Sequence, residues 1–218
     1  VAFDIKSSIK DINLKQEFQY FINTRNKLRF GINAIKHTIV PGQIDANAES
    51  GINPLTLTPN KSLETAVFVT NDFNVNEKLT LNYGLRLSTF SLLGNGQNTY
   101  SYDSDGDVTD TTIYKNNSFV KTYPILEPRI SLSYVYSKTA SFKAAYARNA
   151  QYIHLVSNTT TSSPTDLWIP SSLNTAPEIC DQVSIGWFKN FKENAYEMNI
   201  ETYYKSMQNQ IDYRNGAN

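Results

Sequence analysis

The sequence predicts an all-β fold: an antiparallel transmembrane β-barrel segment of about eight long strands, with short turns at one end and long loops at the other. Three observations carry this. Extended segments alternate apolar and polar residues with period two, over lengths well beyond the five or six residues usual in soluble sheets. The links between them alternate between short and long. Helical periodicity is weak throughout, and no segment is capped at both ends.

The segments follow in order. Residues 7–22 set Leu14, Phe18, Tyr20 and Ile22 against Lys15, Glu17 and Gln19, with Phe21 breaking the polar side. Residues 27–40 set Leu28, Phe30, Ile32 and Ala34 against Arg29, Gly31 and Asn33. Residues 61–75 set Leu63, Val67, Val69 and Phe73 against Glu64, Thr70, Asp72 and Asn74. In residues 78–92, "LTLNYGLRLSTF" places Leu79, Leu81, Tyr83, Leu85 and Leu87 opposite Thr80, Asn82, Gly84, Arg86 and Ser88. After Ser88 the phase changes, and Phe90 and Leu92 fall on the polar side, as a bulge, an exit from the bilayer or decay of the alternation at a strand end would give.

The remaining four continue the pattern. Residues 126–137 give Ile130, Leu132, Tyr134 and Tyr136 on one face, and 140–155 give Phe142, Ala144 and Tyr146 against Ser141, Lys143 and Ala145. Residues 181–191 give Val183, Ile185 and Trp187, and 195–213 give Tyr196, Met198, Ile200 and Tyr204 against Glu197, Asn199, Glu201 and Lys205.

Alternation alone does not say whether the apolar face meets a core or lipid; the links do. "NTRNK", "VNEK", "SKTA" and "KENA" are short and polar, while 41–60, 93–125 and 156–180 are long. Compact soluble domains seldom hold structureless loops beyond about 12–15 residues. Short turns at one edge and long loops at the other are the pattern of an outer-membrane barrel, with periplasmic turns and extracellular loops. The apolar face therefore points to lipid.

Composition agrees. Twenty basic and twenty acidic residues cancel, so nothing favours nucleic acid as a partner. Mean hydropathy is −0.42, and no run approaches the roughly 18 apolar residues of a membrane helix. Barrel strands escape that test because lumen-facing polar residues dilute the lipid-facing ones. Fourteen tyrosines suit interfacial girdles or a sandwich core. A single cysteine, Cys180, allows no internal disulfide. "VAFDIKSSIK" is no signal peptide, so a fragment of a longer protein is expected.

From "LEPRISLSYVYSKTASFKAAYARNAQYIHLVSNTTTSSPTDLWIPSS" through "APEICDQVSIGWFKNF" and "YEMNIETYYKSMQNQIDYRNGA", the chain resembles the barrel of TonB-dependent outer-membrane receptors. The resemblance is to the subgroup with a carboxypeptidase-regulatory-like N-terminal domain, and "LTLNYGLRLSTF" and "SLETAVFVTNDFNVNEKL" extend it upstream. It implies a barrel of about 22 strands with a plugged lumen. Residues 1–218 would then be a partial barrel domain, without signal peptide, plug and remaining strands. It also implies a place in the outer membrane of a Gram-negative bacterium and import of a nutrient that the sequence does not identify. The implied partners are membrane lipid, the rest of the barrel and plug, the TonB system and a surface lipoprotein.

The residues leave two rivals open: a complete eight-stranded outer-membrane barrel of structural or adhesive role, and a soluble β-sandwich that binds carbohydrate through Tyr and Trp. No catalytic or cofactor-binding residue is expected. In "DSDGDVTD", Asp103, Asp105 and Asp107 sit at the alternate positions that open a calcium loop. The glutamate that would complete it is absent, and Asp with Gly is also turn chemistry. His37 and His154 stand alone in sequence and read as surface or lumen polar residues near strand ends. Cys180 reads as an inert wall residue, Trp187 as an interfacial residue beside a short turn, and Trp168 as packing within a proline-stiffened loop.

Overall fold

The computed structural model describes residues 3–46, 55–103, 106–156 and 167–212. Among the described residues there are thirteen strands: β1 (Phe3–Asn23), β2 (Asn26–Ala46), β3 (Leu55–Thr56), β4 (Asn60–Asn74), β5 (Leu79–Leu93), β6 (Asn98–Tyr102), β7 (Val108–Ile113), β8 (Phe119–Ser137), β9 (Ala140–Gln151), β10 (Ile153–Val156), β11 (Leu167–Pro170), β12 (Glu178–Phe191) and β13 (Tyr196–Gln208). Eight of them form an antiparallel meander in the order β1-β2-β4-β5-β8-β9-β12-β13, with β3 added to β2. These eight are the eight long segments expected.

The strands differ from expectation mostly at the long-loop end. The fifth starts at Phe119 instead of residue 126, and the sixth stops at Gln151 instead of 155. The stretch 93–125 contains a hairpin, β6–β7, and the expected sixth segment breaks at Tyr152, so that its end, β10, pairs with β11 from the stretch 156–180. Residues 47–54 and 157–166 of the predicted loops lie outside the described residues. Each hairpin strand is only 4 to 6 residues long, too short for periodicity to separate from a loop.

The short turns sit together at the other end. Asn23 Oδ1 accepts the N–H of Arg25 at 2.9 Å, and Asn76 Oδ1 accepts those of Lys78 and Leu79 at 2.9 and 3.0 Å. Between β12 and β13, Lys192, Glu193 and Asn194 all take positive φ. The Asn190 amide, donating to Asn194 Oδ1, helps hold that conformation.

β1 and β13 are the two edges of the sheet and pair with nothing else in it, so the closed eight-stranded barrel is not formed. Among the described residues no second large sheet faces the first across a core, as a sandwich would require. Full burial of large apolar side chains is confined to a few positions such as Ile39 and Phe90, while Leu14, Phe18, Ile32, Val67, Leu85 and Ile185 remain exposed on one face. Phe18 and Phe30, paired in register, stack at 5.6 Å on that face.

The apolar face is a bounded band. On β5 its outward residues Leu79 to Leu87 climb about 20 Å at a strand tilt of about 40°. Toward the long loops it ends in hydroxyl pairs, Thr65–Thr89 at 2.7 Å and Ser91–Thr122 at 2.8 Å. Toward the turns it ends in aromatics. Trp187 donates its indole N–H to the Tyr136 hydroxyl at 2.6 Å, the interfacial position expected of it. Where a polar side chain enters the band near that end, it finds an aromatic hydroxyl: the Asn71 Nδ2 group donates to the Tyr83 hydroxyl at 2.8 Å.

Candidate functional site

The chemistry of this chain lies on the opposite, polar face. Period-two alternation puts Asp11, His37, Glu64, Arg86 and Glu127 on one side of five neighbouring strands, and the register brings Arg86 directly opposite Glu127. His37 Nδ1 meets Asp11 Oδ1 at 2.8 Å and its Nε2 faces Glu64 Oε2 at 3.8 Å. Arg86 lies 3.2 Å from Glu64 Oε1 and 3.4 Å from Glu127 Oε1. Ser88 donates to Glu127 at 2.6 Å and shares a 2.6 Å hydrogen bond with the Tyr152 hydroxyl. One chain of polar contacts therefore crosses β1 to β8.

A second belt lies closer to the turns. Asp72 takes Lys27 at 3.5 Å and Arg29 at 3.2 Å, and accepts a hydrogen bond from the Asn82 amide. Between the belts is a recess of about 340 Å³ lined by Lys15, Arg29, Phe68, Arg86 and Arg129 among others. Gly31 makes room for it: a Cβ there would stand 2.9 Å from the Phe68 ring.

The upper belt is covered by part of a long loop. Tyr152, between β9 and β10, turns back over β5, and its ring stacks on Phe90 at 5.0 Å with 7° between planes. β11 reaches β2. Beneath this hairpin lie the fully buried Ile39, Ser62 and Phe90. Burial pushes the Tyr152 phenol up to about 12, so it is a neutral hydrogen-bonding group near neutral pH. His154, 2 % exposed, has its ring Nε2 at 3.0 Å from Ser171 Oγ, and burial lowers its pKa.

This cover explains the phase change after Ser88. β4 and β5 stay in register through Leu93, so there is no bulge at Phe90. Phe90 is an inward apolar residue because an aromatic from the folded-back loop rests on it. Sequence reasoning saw the change in polarity without the partner that causes it.

The histidines also differ from expectation. His37 does lie on the lumen face, one of the two settings expected, but mid-strand and at 4 % exposure between carboxylates from β1 and β4; His154 is buried in β10 and not at the surface. Their partners are 26 and 17 residues away in sequence, a separation no local spacing rule detects. Cys180 is half-buried on the polar face of β12, opposite Asn149 and Met207. Trp168 belongs to β11, paired with Leu155. In the acidic turn, Asp103 Oδ1 accepts the N–H groups of Gly106 and Asp107 at 3.0 and 2.9 Å, while Asp105 lies outside the described residues. Gly106, at φ +93°, supplies the left-handed residue of that turn.

The arrangement is that of a wall whose polar side chains pair across strands. Among the described residues no three Cys, His, Asp or Glu side chains gather at metal-binding distance. Carboxylates and bases are spent on cross-strand pairing.

Comparison with known proteins accords with this. No curated protein matches the chain. Solved structures that share its fold include the FrpB iron transporter of Neisseria meningitidis (F5-1 variant; TM-score 0.60, 14% identity), the alcaligin outer membrane receptor FauA of Bordetella pertussis (0.52, 14%) and the ferric-catecholate import receptor Fiu of E. coli K12 (0.50, 14%). The alignments cover 92%, 94% and 98% of this chain but only 29%, 30% and 33% of those, so the chain spans about a third of their length. The family model described as "TonB dependent receptor-like, beta-barrel" matches residues 4–218, nearly the whole sequence. With an apolar band outside, a charged wall inside and a family match of this extent, the chain belongs to the TonB-dependent receptor β-barrel family of the Gram-negative outer membrane.

Proposed function

We propose that this chain is part of the barrel wall of an active importer, completed by further strands that pair with the edges of β1 and β13. The observation that carries this is the inverted sheet: exposed apolar residues on one face and a buried ion-pair chain on the other. A polar interior is useful only to something that packs or passes inside. In the complete receptor that would be a plug domain, moved by the TonB system, together with the imported solute. At 14% identity the neighbours named for iron, alcaligin and ferric catecholate support the fold and not a substrate. A surface lipoprotein partner would meet the long-loop end, where β6–β7 stands exposed. The role proposed is transport, without catalysis.

Native size and energy dependence test this together. An antibody to residues 98–113 should detect, in outer-membrane fractions, a band several times larger than 24.7 kDa. Growth on the limiting nutrient should fall equally on deleting the receptor gene and on deleting the TonB gene. A band near the chain's own mass overturns the large-barrel reading. Growth independent of TonB overturns the importer reading while leaving the fold intact.

A further inference from the structure

We propose that the folded-back hairpin β10–β11 and the outer hairpin β6–β7 move as one unit, with Tyr152 as its anchor in the wall and Asn174 as the joint between the two. This goes beyond the transport reading, since it holds whatever passes through the lumen.

The anchor is a buried aromatic with both ends engaged. The ring of Tyr152 stacks on Phe90, its hydroxyl joins Ser88 and through it Glu127, and its carbonyl accepts the N–H of Ser171 at 2.8 Å. The segment after Ser171 is a tight turn and not a slack link. Ser172 N–H donates to the Thr175 carbonyl at 2.8 Å, and Asn174 N–H donates to Ser172 Oγ at 3.3 Å. Tyr123 of β8 donates its hydroxyl to the Ser172 carbonyl at 2.7 Å, fixing the turn to the barrel.

The joint uses side-chain amide chemistry. Asn174 Oδ1 accepts the N–H of Tyr102 at 3.2 Å, and Asn174 Nδ2 donates to the carbonyl of Tyr100 at 2.9 Å. The two backbone groups flank Ser101 on one edge of β6. A primary amide satisfies both as a peptide group of an added strand would. Aspartate could accept from Tyr102 but not donate to Tyr100, so the residue type matters. Displacing Tyr152 from the wall would thus shift the 171–175 turn and loosen β6–β7 at the surface. The path is contiguous: Glu127, Ser88, Tyr152, Ser171, the 172–175 turn, Asn174, β6.

Hydrogen exchange of the full-length receptor in detergent tests the coupling, read at the amides of residues 98–113 with β4 and β5 as internal control. Asn174→Ala removes two hydrogen bonds to β6 and should raise exchange in 98–113 about tenfold. Tyr152→Ala should raise the same amides by a similar factor although it touches none of them. In the Asn174→Ala background, Tyr152→Ala should add nothing. If Tyr152→Ala disturbs β4 and β5, Tyr152→Phe, which keeps the stack and loses the hydroxyl, takes its place with a smaller rise expected. Unchanged exchange in 98–113 after the Tyr152 substitution, or effects that simply add in the double variant, overturns the proposal.

Discussion

The two halves of the sheet treat their inner faces differently. From β1 to the start of β8, inward positions carry charges, each held by a neighbour: Asp11 with His37, Lys27 and Arg29 with Asp72, Arg86 between Glu64 and Glu127. From the later part of β8 to β12, the inward row is mostly small, Ser131, Ser133, Ala145, Ala147, Ser184 and Gly186, with the single cation Lys143 laid 4.5 Å over the Phe188 ring, and it lines much of a recess of about 420 Å³. There the strong pair has moved to the other face. Arg148 Nε and Nη2 grip Asp181 at 2.8 and 2.9 Å, with the Tyr146 hydroxyl donating at 2.7 Å, near the long-loop end of the apolar band. For the upper belt the difference follows the cover, whereas the lower belt at Asp72 stays partly exposed. Where a hairpin lies over the wall, charges lose water and must find each other. Where none of the described residues covers it, small residues leave space.

If the halves differ only inside, their outer faces should respond alike. Leu85→Arg on β5 and Ile185→Arg on β12 should each cost about 2–4 kcal/mol near the middle of the bilayer. Unfolding of the complete receptor from lipid vesicles by urea would measure it. A large loss at Leu85 with none at Ile185 would mean that the β12 face is covered by protein and not lipid.

The inner faces should then diverge. Glu127→Ala strips Arg86 of one partner and leaves the Ser88–Tyr152 pair without its acceptor, in a place only 6 % exposed. The expected loss is about 2–3 kcal/mol. Ser133→Ala, at the same face of the uncovered half, should stay within about 0.5 kcal/mol. Equal effects in the same urea measurement would erase the distinction between the halves.

Glycine sharpens it further. A Cβ on Gly84 would stand 2.5 Å from Thr70 Cγ2 and 2.7 Å from the Val69 carbonyl oxygen. Backbone cannot yield as a side-chain tip can, so Gly84→Ala should cost about 1–2 kcal/mol by overpacking. Ala145→Gly across the divide should cost less than about 1 kcal/mol, the ordinary penalty of glycine in a strand.

The contrast between the halves also separates what the sequence could tell from what it could not. All eight wall strands were legible, because a lipid face and a lumen face enforce period two over long runs such as 79–87. The alternation of turn and loop lengths was equally plain. The buried polar site was not. Glu64, Arg86 and Glu127 are scattered over more than sixty residues and meet only through register, which adds up over several hairpins. The hairpin β6–β7 and strand β11 escaped, and β10 merged into the segment 140–155, because none repeats its pattern more than two or three times. The visible trace of the cover was Phe90, apolar on a polar face. An apolar residue breaking phase at the loop end of a barrel strand is a signal that a loop folds back onto it.

The smallest expected effect concerns that cover. His154 is buried with Ser171 as its Nε2 partner, and burial lowers its pKa below the ordinary 6.5 while Glu178 works weakly the other way. A histidine with a depressed pKa is neutral in the docked hairpin and binds a proton more readily once released. Docking therefore keeps its full stability above the ordinary pKa of about 6.5 and loses it progressively as pH falls toward the depressed value. The charged half lies under this hairpin and the uncovered half does not, so acid should act on one and spare the other. Exchange at β10 and β11 should quicken as pH falls below the ordinary histidine value of about 6.5, whereas the lower part of β12, around Ile185, should follow only the intrinsic pH dependence of exchange. His154→Gln, uncharged at every pH in that range, should abolish the extra acceleration at the hairpin. Acceleration that persists in His154→Gln would assign the sensitivity to another group under the hairpin. His37 between Asp11 and Glu64 would then be the next to replace.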